Sequence, residues 1–406
     1  MINVYSEIGK LKKVLLHRPG KELENLMPEL LERLLFDDIP YLKIAQEEHD
    51  DFANILKSHG VEVIYLEDLV VDSLVNDHIK TMFIHEYIEE SGIKNSSRDV
   101  NVLLEYFQSI NSNKDMVLKM MSGIRKSEIK KTGVPTLSDF LSYQYPFIID
   151  PMPNLYFTRD PFSFIGNGAT IHKMKTVTRN RETLFAKYIF NYNPAFKGMK
   201  LWYDRTEDYS IEGGDILILN DEIIAVGISQ RTTPNAIEKF ASNILNEETG
   251  FKKVLAIDIP KQRSFMHLDT VFTMVDFNKF TIHPNIETDI NVYILSKSAN
   301  ENMSIYQGKG SLNDILKQNL KLDEVKLIKC GGNSLVDSSR EQWNDGSNTL
   351  CIAPGEVIVY SRNYITNNIL QDEGIKTYIM PSSELSRGRG GPRCMSMPLF
   401  REIIKK

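Results

Sequence analysis

One pattern limits the folds open to this chain. Short apolar runs pair across tight turns, and a helix signal follows each pair. Residues 216–219 and 223–226 flank Asn220-Asp221-Glu222, where Asn and Asp tolerate left-handed turn geometry. Residues 271–275 and 280–282 make a second hairpin signal, and residues 350–352 and 357–360 make a third across Pro354-Gly355-Glu356. Thr233-Pro234 opens a helix with Ile237, Phe240, Ala241, Ile244 and Leu245 inward, and the helix after Tyr360 ends near Gly374. Nearer the start, the strand Lys12-Lys13-Val14-Leu15-Leu16 leads through a helix carrying Ile44, Ala45, Phe52, Ile55 and Leu56, closed by Gly60, to the strand at 61–65. Strand, helix, strand is α/β alternation. Between them Leu23, Leu26, Leu30, Leu31, Leu34 and Leu35 recur at helical spacing, and Pro28 marks where that helix becomes continuous. Hairpin-then-helix units recurring without strong self-similarity point to an architectural repeat.

That rhythm breaks once. From Leu74 to Tyr145 the text is helical with no convincing strand. The segments carry Ile79, Met82, Phe83, Tyr87 and Ile88; then Val100, Leu103, Leu104, Phe107 and Ile110 behind the N-cap Ser97; then Met116, Val117, Met120 and Met121; then Leu137, Phe140 and Leu141. This predicts a small helical bundle, 74–148, inserted into an α/β body made of 1–73 plus 149–406. The methionine stripe reads as core, against the alternative of a helix-binding groove. Strands return at Phe147-Ile148-Ile149.

Composition narrows the function classes. A 406-residue chain of formal charge -6 is not a general nucleic-acid or membrane-surface binder, yet it can still take a cationic small substrate. The start, Met1-Ile2-Asn3-Val4-Tyr5-Ser6-Glu7, does not read as a signal peptide, and no apolar run approaches the roughly 20 residues of a membrane span. Three unpaired cysteines, Cys330, Cys351 and Cys394, suit a reducing cytoplasm, with Cys351 a small buried side chain of a strand. Paired cysteines and other metal-ligand spacing are absent.

The polar segments between strands carry the chemistry. Ser386-Arg387-Gly388-Arg389-Gly390-Gly391-Pro392-Arg393-Cys394-Met395 sets one thiol among three arginines, and nearby cations lower a thiol pKa. Pro153-Asn154-Leu155-Tyr156-Phe157-Thr158-Arg159-Asp160-Pro161 gathers amide, aromatic, cation and carboxylate. Ile211-Glu212-Gly213-Gly214-Asp215 puts an acid before two glycines, where it can project into a cleft. Met266-His267-Leu268-Asp269 spaces imidazole and carboxylate by two, which on a strand points both to one face. Each has a dull reading: Asp160 as a turn cap, Glu212 as an exposed loop acid, His267 as a satisfied core histidine, Cys394 as incidental to a surface loop. Together, thiol, imidazole and three carboxylates are the parts of nucleophilic catalysis on a cationic carbon. An acid-lined pocket favours a guanidinium, whose fixed fork of N–H donors pairs with carboxylates.

These segments, with His17-Arg18-Pro19-Gly20 and the placement of the helical insertion, resemble the signature segments of bacterial arginine deiminases in the family's order along essentially the whole chain. Related guanidine-modifying enzymes share the fold and the Cys-His-Glu logic, but generally lack the insertion and the Arg-Gly-Arg-Gly-Gly approach to the thiol. The resemblance implies an α/β propeller of five ββαβ modules about a pseudo-fivefold axis, with the site at its centre. It implies hydrolysis of L-arginine to L-citrulline and ammonia through an S-amidino-cysteine, without metal or cofactor. By motif, Cys394 is the nucleophile and His267 the acid and base, Asp160 and Asp269 grip the guanidinium, and Glu212 orients His267. Asn154, Phe157, Arg179, Arg231 and Arg389 hold the α-carboxylate and α-amino end. A homo-oligomer, dimer or larger, is expected, in the cytoplasm. Two alternatives stay open: a related hydrolase of agmatine or methylarginine, and an inactive arginine-binding relative. Carboxylates crowding the thiol would also leave Cys394 protonated until a cationic substrate arrives, opposite to the effect of its neighbouring arginines.

Overall fold

Five three-stranded units, each built the same way, organise the computed structural model, which describes residues 2–93, 98–129, 145–245, 249–287, 290–298 and 302–404. In each unit an antiparallel strand pair is followed by a helix, and a third strand pairs parallel to the second strand of that pair. The first unit is Phe162–Ile165 and Gly168–Ile171, helix Thr183–Tyr192, and strand Leu201–Tyr203. Next come Ile216–Ile218 and Ile223–Ile228, helix Pro234–Leu245, and Lys253–Asp258. The third has Phe272–Met274 and Lys279–Ile282 with helix Leu312–Leu320 and strand Lys326–Lys329. The fourth is Leu350–Ala353 and Glu356–Tyr360, helix Tyr364–Asp372, and Lys376–Met380. The fifth joins the two ends of the chain: Met397–Arg401 pairs antiparallel with Leu11–Leu16, which pairs through helix Leu42–Ser58 with Glu62–Tyr65.

Sequence pattern accounts for these elements. The strand Lys253–Asp258 is buried along Val254-Leu255-Ala256-Ile257 because neighbours pair on both its edges and a helix packs on one face. Helix Pro234–Leu245 opens on proline and buries Ala236, Ile237, Phe240, Ala241, Ile244 and Leu245. Full burial of each large apolar side chain contributes about 1.5–3 kcal/mol before entropy is charged against it. One hairpin, Asn291–Lys297 with Met303–Gln307, lies inside the third unit's chain but pairs with Lys253–Asp258, extending the second sheet to five strands.

Where the sequence reading predicts one helix behind Pro28, the chain instead makes a short helix at Lys21–Glu24, a 3-10 turn at Pro28–Leu30 and a helical turn at Leu31–Leu34. Leu35 then adopts φ 59°, and Phe36 N–H closes back on the Leu31 carbonyl. That left-handed stop turns Asp37 and Asp38 towards Arg263, Arg387 and Arg389.

The helical stretch contains Asp77–Glu90, Arg98–Gln108 and Asn113–Ser122, and a helix at Leu66–Ser73 precedes it. Met116, Val117, Met120 and Met121 are fully buried, and Tyr87 donates its hydroxyl to the Met120 carbonyl at 2.6 Å, so the methionine stripe is core. Met82 is the exception on its helix, facing outward. The expectation of no strand here is corrected by Ile124–Arg125, which pairs antiparallel with Phe147–Ile149. Two residues are too short to leave a period-2 signal. The predicted cap Ser97 and the segment with Leu137, Phe140 and Leu141 lie outside the described residues. No helix among the described residues is long and apolar enough to cross a membrane.

Candidate active site

The first strand of every unit is entered through a turn, and a polar side chain stands at each entrance. Asp160 precedes Phe162–Ile165, Glu212 precedes Ile216–Ile218, Asp269 precedes Phe272–Met274, Asn348 precedes Leu350–Ala353, and Cys394 precedes Met397–Arg401, each within four residues of its strand. His267 and Asp269 are therefore not on a strand, as their spacing suggested. His267 caps the 3-10 turn Leu268–Thr270 that carries Asp269. Both still face the site.

The imidazole is held first by its surroundings. His267 Nε2 lies 2.8 Å from Glu212 Oε2, and Nδ1 lies 3.9 Å from Asp160 Oδ1. A side chain at Gly214 would meet the His267 ring at 2.7 Å, so the second glycine after Glu212 makes room for it. Asp215 accepts from Leu268 N–H at 2.8 Å and Ser229 Oγ at 2.7 Å, tying the two turns together. Burial works against a charged His267, but Asp160, Glu212 and Asp215 outweigh it and raise its pKa to about 9. Burial likewise works against ionised Glu212, yet Arg231, His267 and Arg179 hold it down at about 2. The result is an imidazolium–carboxylate pair at neutral pH.

The thiol of Cys394 is buried, and Sγ lies 3.5 Å from Asp269 Oδ2. Burial pushes its pKa well above the ordinary value, Asp269, Asp160 and Asp345 push the same way, and Arg393 opposes them. The activating effect expected of three neighbouring arginines is thus overturned. Arg387 pairs at the surface with Asp38 and Glu384. Arg389 lies over the Trp343 ring at 3.4 Å, with Nη1 3.5 Å from Asp37. Arg393 is buried but spends its guanidinium on Glu7 at 3.0 Å, on Asp269 at 2.8 Å and on the Ile216 carbonyl at 2.7 Å.

The remaining predicted residues divide into two groups. Arg179 is close to the centre: Nη1 sits 2.7 Å from Asp160 Oδ2, Nη2 lies 2.8 Å from Glu182, and the same nitrogen reaches the Asn154 carbonyl at 3.5 Å. Arg231 is near Glu212 at 3.8 Å. Asn154 donates to the Leu34 carbonyl at 2.7 Å, and the Phe157 ring fills the space that a side chain at Gly390 would need. Arg389 stands apart on Trp343. Asp160 Oδ1, Asp269 Oδ1 and Arg231 Nη1 are buried without a hydrogen-bond partner among the described residues. Two unpartnered carboxylate oxygens, one by the imidazole and one on the acid beside the thiol, can accept the N–H groups of a planar cation.

Sequence reasoning missed the fourth entrance. Asp345 is buried, with φ 62° and Oδ2 unpartnered among the described residues, and burial raises its pKa to about 7. Asn348 bonds to the main chains of Asp269 and Cys394. Their one local signal is the turn-forming run Asn344-Asp345-Gly346-Ser347-Asn348, which by itself reads as a loop.

Known proteins give this geometry a family. The family model for arginine deiminase matches residues 32–401. An arginine deiminase of Clostridium perfringens is 57% identical over 409 residues, covering 99% of this chain and 98% of that protein. One from Streptococcus agalactiae is 55% identical over 406 residues, with the same coverage. Among solved structures, an amidinotransferase of Microseira wollei from a saxitoxin pathway superposes with TM-score 0.55 at 16% identity, covering 98% of this chain and 97% of that one. A dimethylarginine dimethylaminohydrolase carrying an S-methyl-L-thiocitrulline adduct gives 0.53 at 13% identity, covering 96% and 99%. The distant structures establish the mixed α/β fold of amidinotransferase-like enzymes. With the model spanning residues 32–401 and the full-length identities above half, the chain belongs to the arginine deiminase family.

Proposed function

We propose that this arginine deiminase family member hydrolyses L-arginine to L-citrulline and ammonia at Cys394, with the covalent chemistry divided between that thiol and His267. The observation that carries the reading is the pair of buried, unpartnered oxygens, Asp160 Oδ1 and Asp269 Oδ1, beside the imidazolium and the thiol. A guanidinium bound between them brings a positive charge to a thiol that burial and carboxylates otherwise keep protonated, which lowers its pKa where attack is needed. As the cation binds, the thiol releases its proton to solvent, and the resulting thiolate adds to the guanidinium carbon. His267, protonated at neutral pH, gives its proton to the departing nitrogen, and ammonia leaves. Neutral His267 then takes a proton from water as it attacks the S-amidino intermediate. Collapse expels the thiolate and leaves a ureido group. Glu212 supports the imidazolium throughout.

Asn154, Phe157, Arg179, Arg231 and Arg389 are assigned to the amino-acid end. For Arg179 and Arg389 this requires movement, since the first is engaged by Asp160 and the second rests on Trp343. The cations favour a substrate with an α-carboxylate over agmatine. The five units, with the last formed by both chain ends, support a five-module propeller about a pseudo-fivefold axis, with 74–148 as a helical insertion in the body 1–73 plus 149–406. A homo-oligomer in the cytoplasm, working without metal or cofactor, completes the proposal.

Incubation with L-arginine, agmatine and dimethylarginine, assaying ureido product and ammonia, tests the substrate. Turnover of agmatine in preference to arginine would overturn the specificity. Cys394→Ala is expected to abolish turnover while L-arginine binding, followed by calorimetry, survives.

A further inference from the structure

We propose that Asn348 is a positioning residue for this reaction: one amide holds the main chains of the thiol and of its neighbouring carboxylate at the same time. The proposal rests on the roles of Cys394 and Asp269 given above.

Its first support is placement. Four of the five strand entrances carry residues with a direct part in the proposed chemistry, namely Asp160, Glu212, Asp269 with His267, and Cys394. The fourth unit's entrance carries none of these, and Asn348 stands there, two residues ahead of Leu350–Ala353. Its side chain is fully buried. Oδ1 accepts the Cys394 N–H at 3.0 Å, and Nδ2 donates to the Asp269 carbonyl at 3.1 Å. Those partners are 46 and 79 residues away in sequence, so the amide joins the third, fourth and fifth units at the reacting end of the site.

The chemistry of the amide fits both partners in one orientation. A main-chain N–H can only donate and a carbonyl can only accept, so turning the amide over breaks both bonds. Leucine fills a similar volume with neither bond, and an ionised aspartate would set a negative oxygen against the Asp269 carbonyl. The contact is close enough to dictate its neighbour. A side chain at Gly391 would meet the Asn348 carbonyl at 2.7 Å and its Cβ and Oδ1 at 2.8 Å. The glycine three residues before the thiol thus serves the approach of the cysteine loop to this asparagine.

The turn is braced from behind. Asn348 N–H donates to the Asp345 carbonyl at 2.9 Å, and Asp345 takes the left-handed φ of 62°. The Ser347 carbonyl accepts from Thr273 Oγ1 at 2.7 Å and Thr281 Oγ1 at 3.1 Å, and Thr349 Oγ1 meets Thr273 Oγ1 at 2.9 Å. A bracket fixed on one side to the third unit's strands, and on the other to two reacting residues, sets the 3.5 Å spacing of thiol and carboxylate. Misplacement of reacting groups by about 1 Å costs roughly 100-fold in rate.

Three variants test this: Asn348→Ser, Asn348→Asp and, as control, Cys394→Ala, each followed by thermal melting, kcat and KM. Asn348→Ser is expected to lower kcat roughly 100-fold with KM within about threefold. Asn348→Asp is expected to regain activity relative to the parent as pH falls, because a protonated carboxyl offers the same acceptor and donor as the amide. Taking the ratio to the parent removes the pH dependence the two enzymes share. The inference is overturned if Asn348→Ser keeps kcat within about threefold, if the Asn348→Asp ratio is flat with pH, or if both variants lose the folded state, which would make Asn348 a structural support. Turnover by Cys394→Ala would instead sink the nucleophile assignment and leave the two failures distinguishable.

Discussion

Two buried histidines in this molecule each sit between two carboxylates, and only one of them is at the candidate site. His17 places Nδ1 3.0 Å from Glu67 and Nε2 3.2 Å from Glu22, and Glu22 also accepts the Gly20 N–H. Burial lowers its pKa, but the two acids raise it to about 10. His267 has one close acid and one at 3.9 Å, and a pKa of about 9. Burial and charge do not separate the two clusters; unused hydrogen-bonding capacity on charged groups does. Around His17 both ring nitrogens are bonded, and its neighbour His49, whose nitrogens are not, is driven to about 3 by burial and by His17 and stays neutral. Around His267, Asp160 Oδ1, Asp269 Oδ1 and Arg231 Nη1 are unpartnered among the described residues. A saturated cluster holds the fold, and one with charged capacity to spare can take a charged ligand.

The largest expected difference is kinetic. His267→Asn should lower kcat by about 10³-fold, in the range for general acid–base groups, and the parent's kcat should decline as pH rises through about 9, where the acid form is lost. Steady-state rates from pH 6 to 10 check both, and a rate insensitive to the variant would erase the contrast with His17. His17→Gln should leave kcat of the folded enzyme within a few-fold but cost about 3–5 kcal/mol in denaturant unfolding, because two buried carboxylates lose their counter-charge. That cost has a sign in pH. His17's folded pKa, about 10, lies above its ordinary 6.5, so its stabilisation is complete below about 6.5 and disappears as pH rises through 10. Parent and variant melts should therefore converge near pH 10.5.

Asp345→Asn tests a buried acid inside the site's wall. Its folded pKa of about 7 lies above the ordinary 3.8, so ionisation destabilises the fold as pH rises through 7. The variant, whose amide accepts the left-handed backbone, should gain on the order of 2–4 kcal/mol at pH 8 and nothing at pH 3. Equal melts at pH 8 would show that Asp345 stays neutral or finds a partner. The smallest effect belongs to Arg18, which pairs with Asp50 at 2.7 Å beside His17, with side chains 38% and 45% exposed. Arg18→Ala should cost less than about 1 kcal/mol, and less again in high salt.

Much of this was legible in the residues. Hairpins at 216–226, 271–282 and 350–360, and the helix opened by Pro234, follow from short-range pattern and turn chemistry. The segments bearing Asp160, Glu212, His267, Asp269 and Cys394 stood out because reactive side chains in glycine-rich, aromatic surroundings are uncommon in connecting loops. Asn348 did not, because a lone asparagine in a turn is what turns ordinarily contain. Arg393 looked like an activator of the adjacent thiol, and only the arrival of Glu7 from the other end of the chain reveals where its charge goes.

By itself, then, the sequence determined the alternation of elements, the helical stretch, and which side chains could do chemistry, since period, capping and side-chain type are local properties. The tertiary structure alone decided which charges meet. It buried Cys394 among carboxylates and raised the thiol, set Arg179 on Asp160, saturated His17 and left His267 with an unpartnered acid beside it. Desolvation and Coulomb interaction depend on distance in space, and residues 7, 160, 212, 267, 348 and 394 become neighbours only when five strand entrances converge.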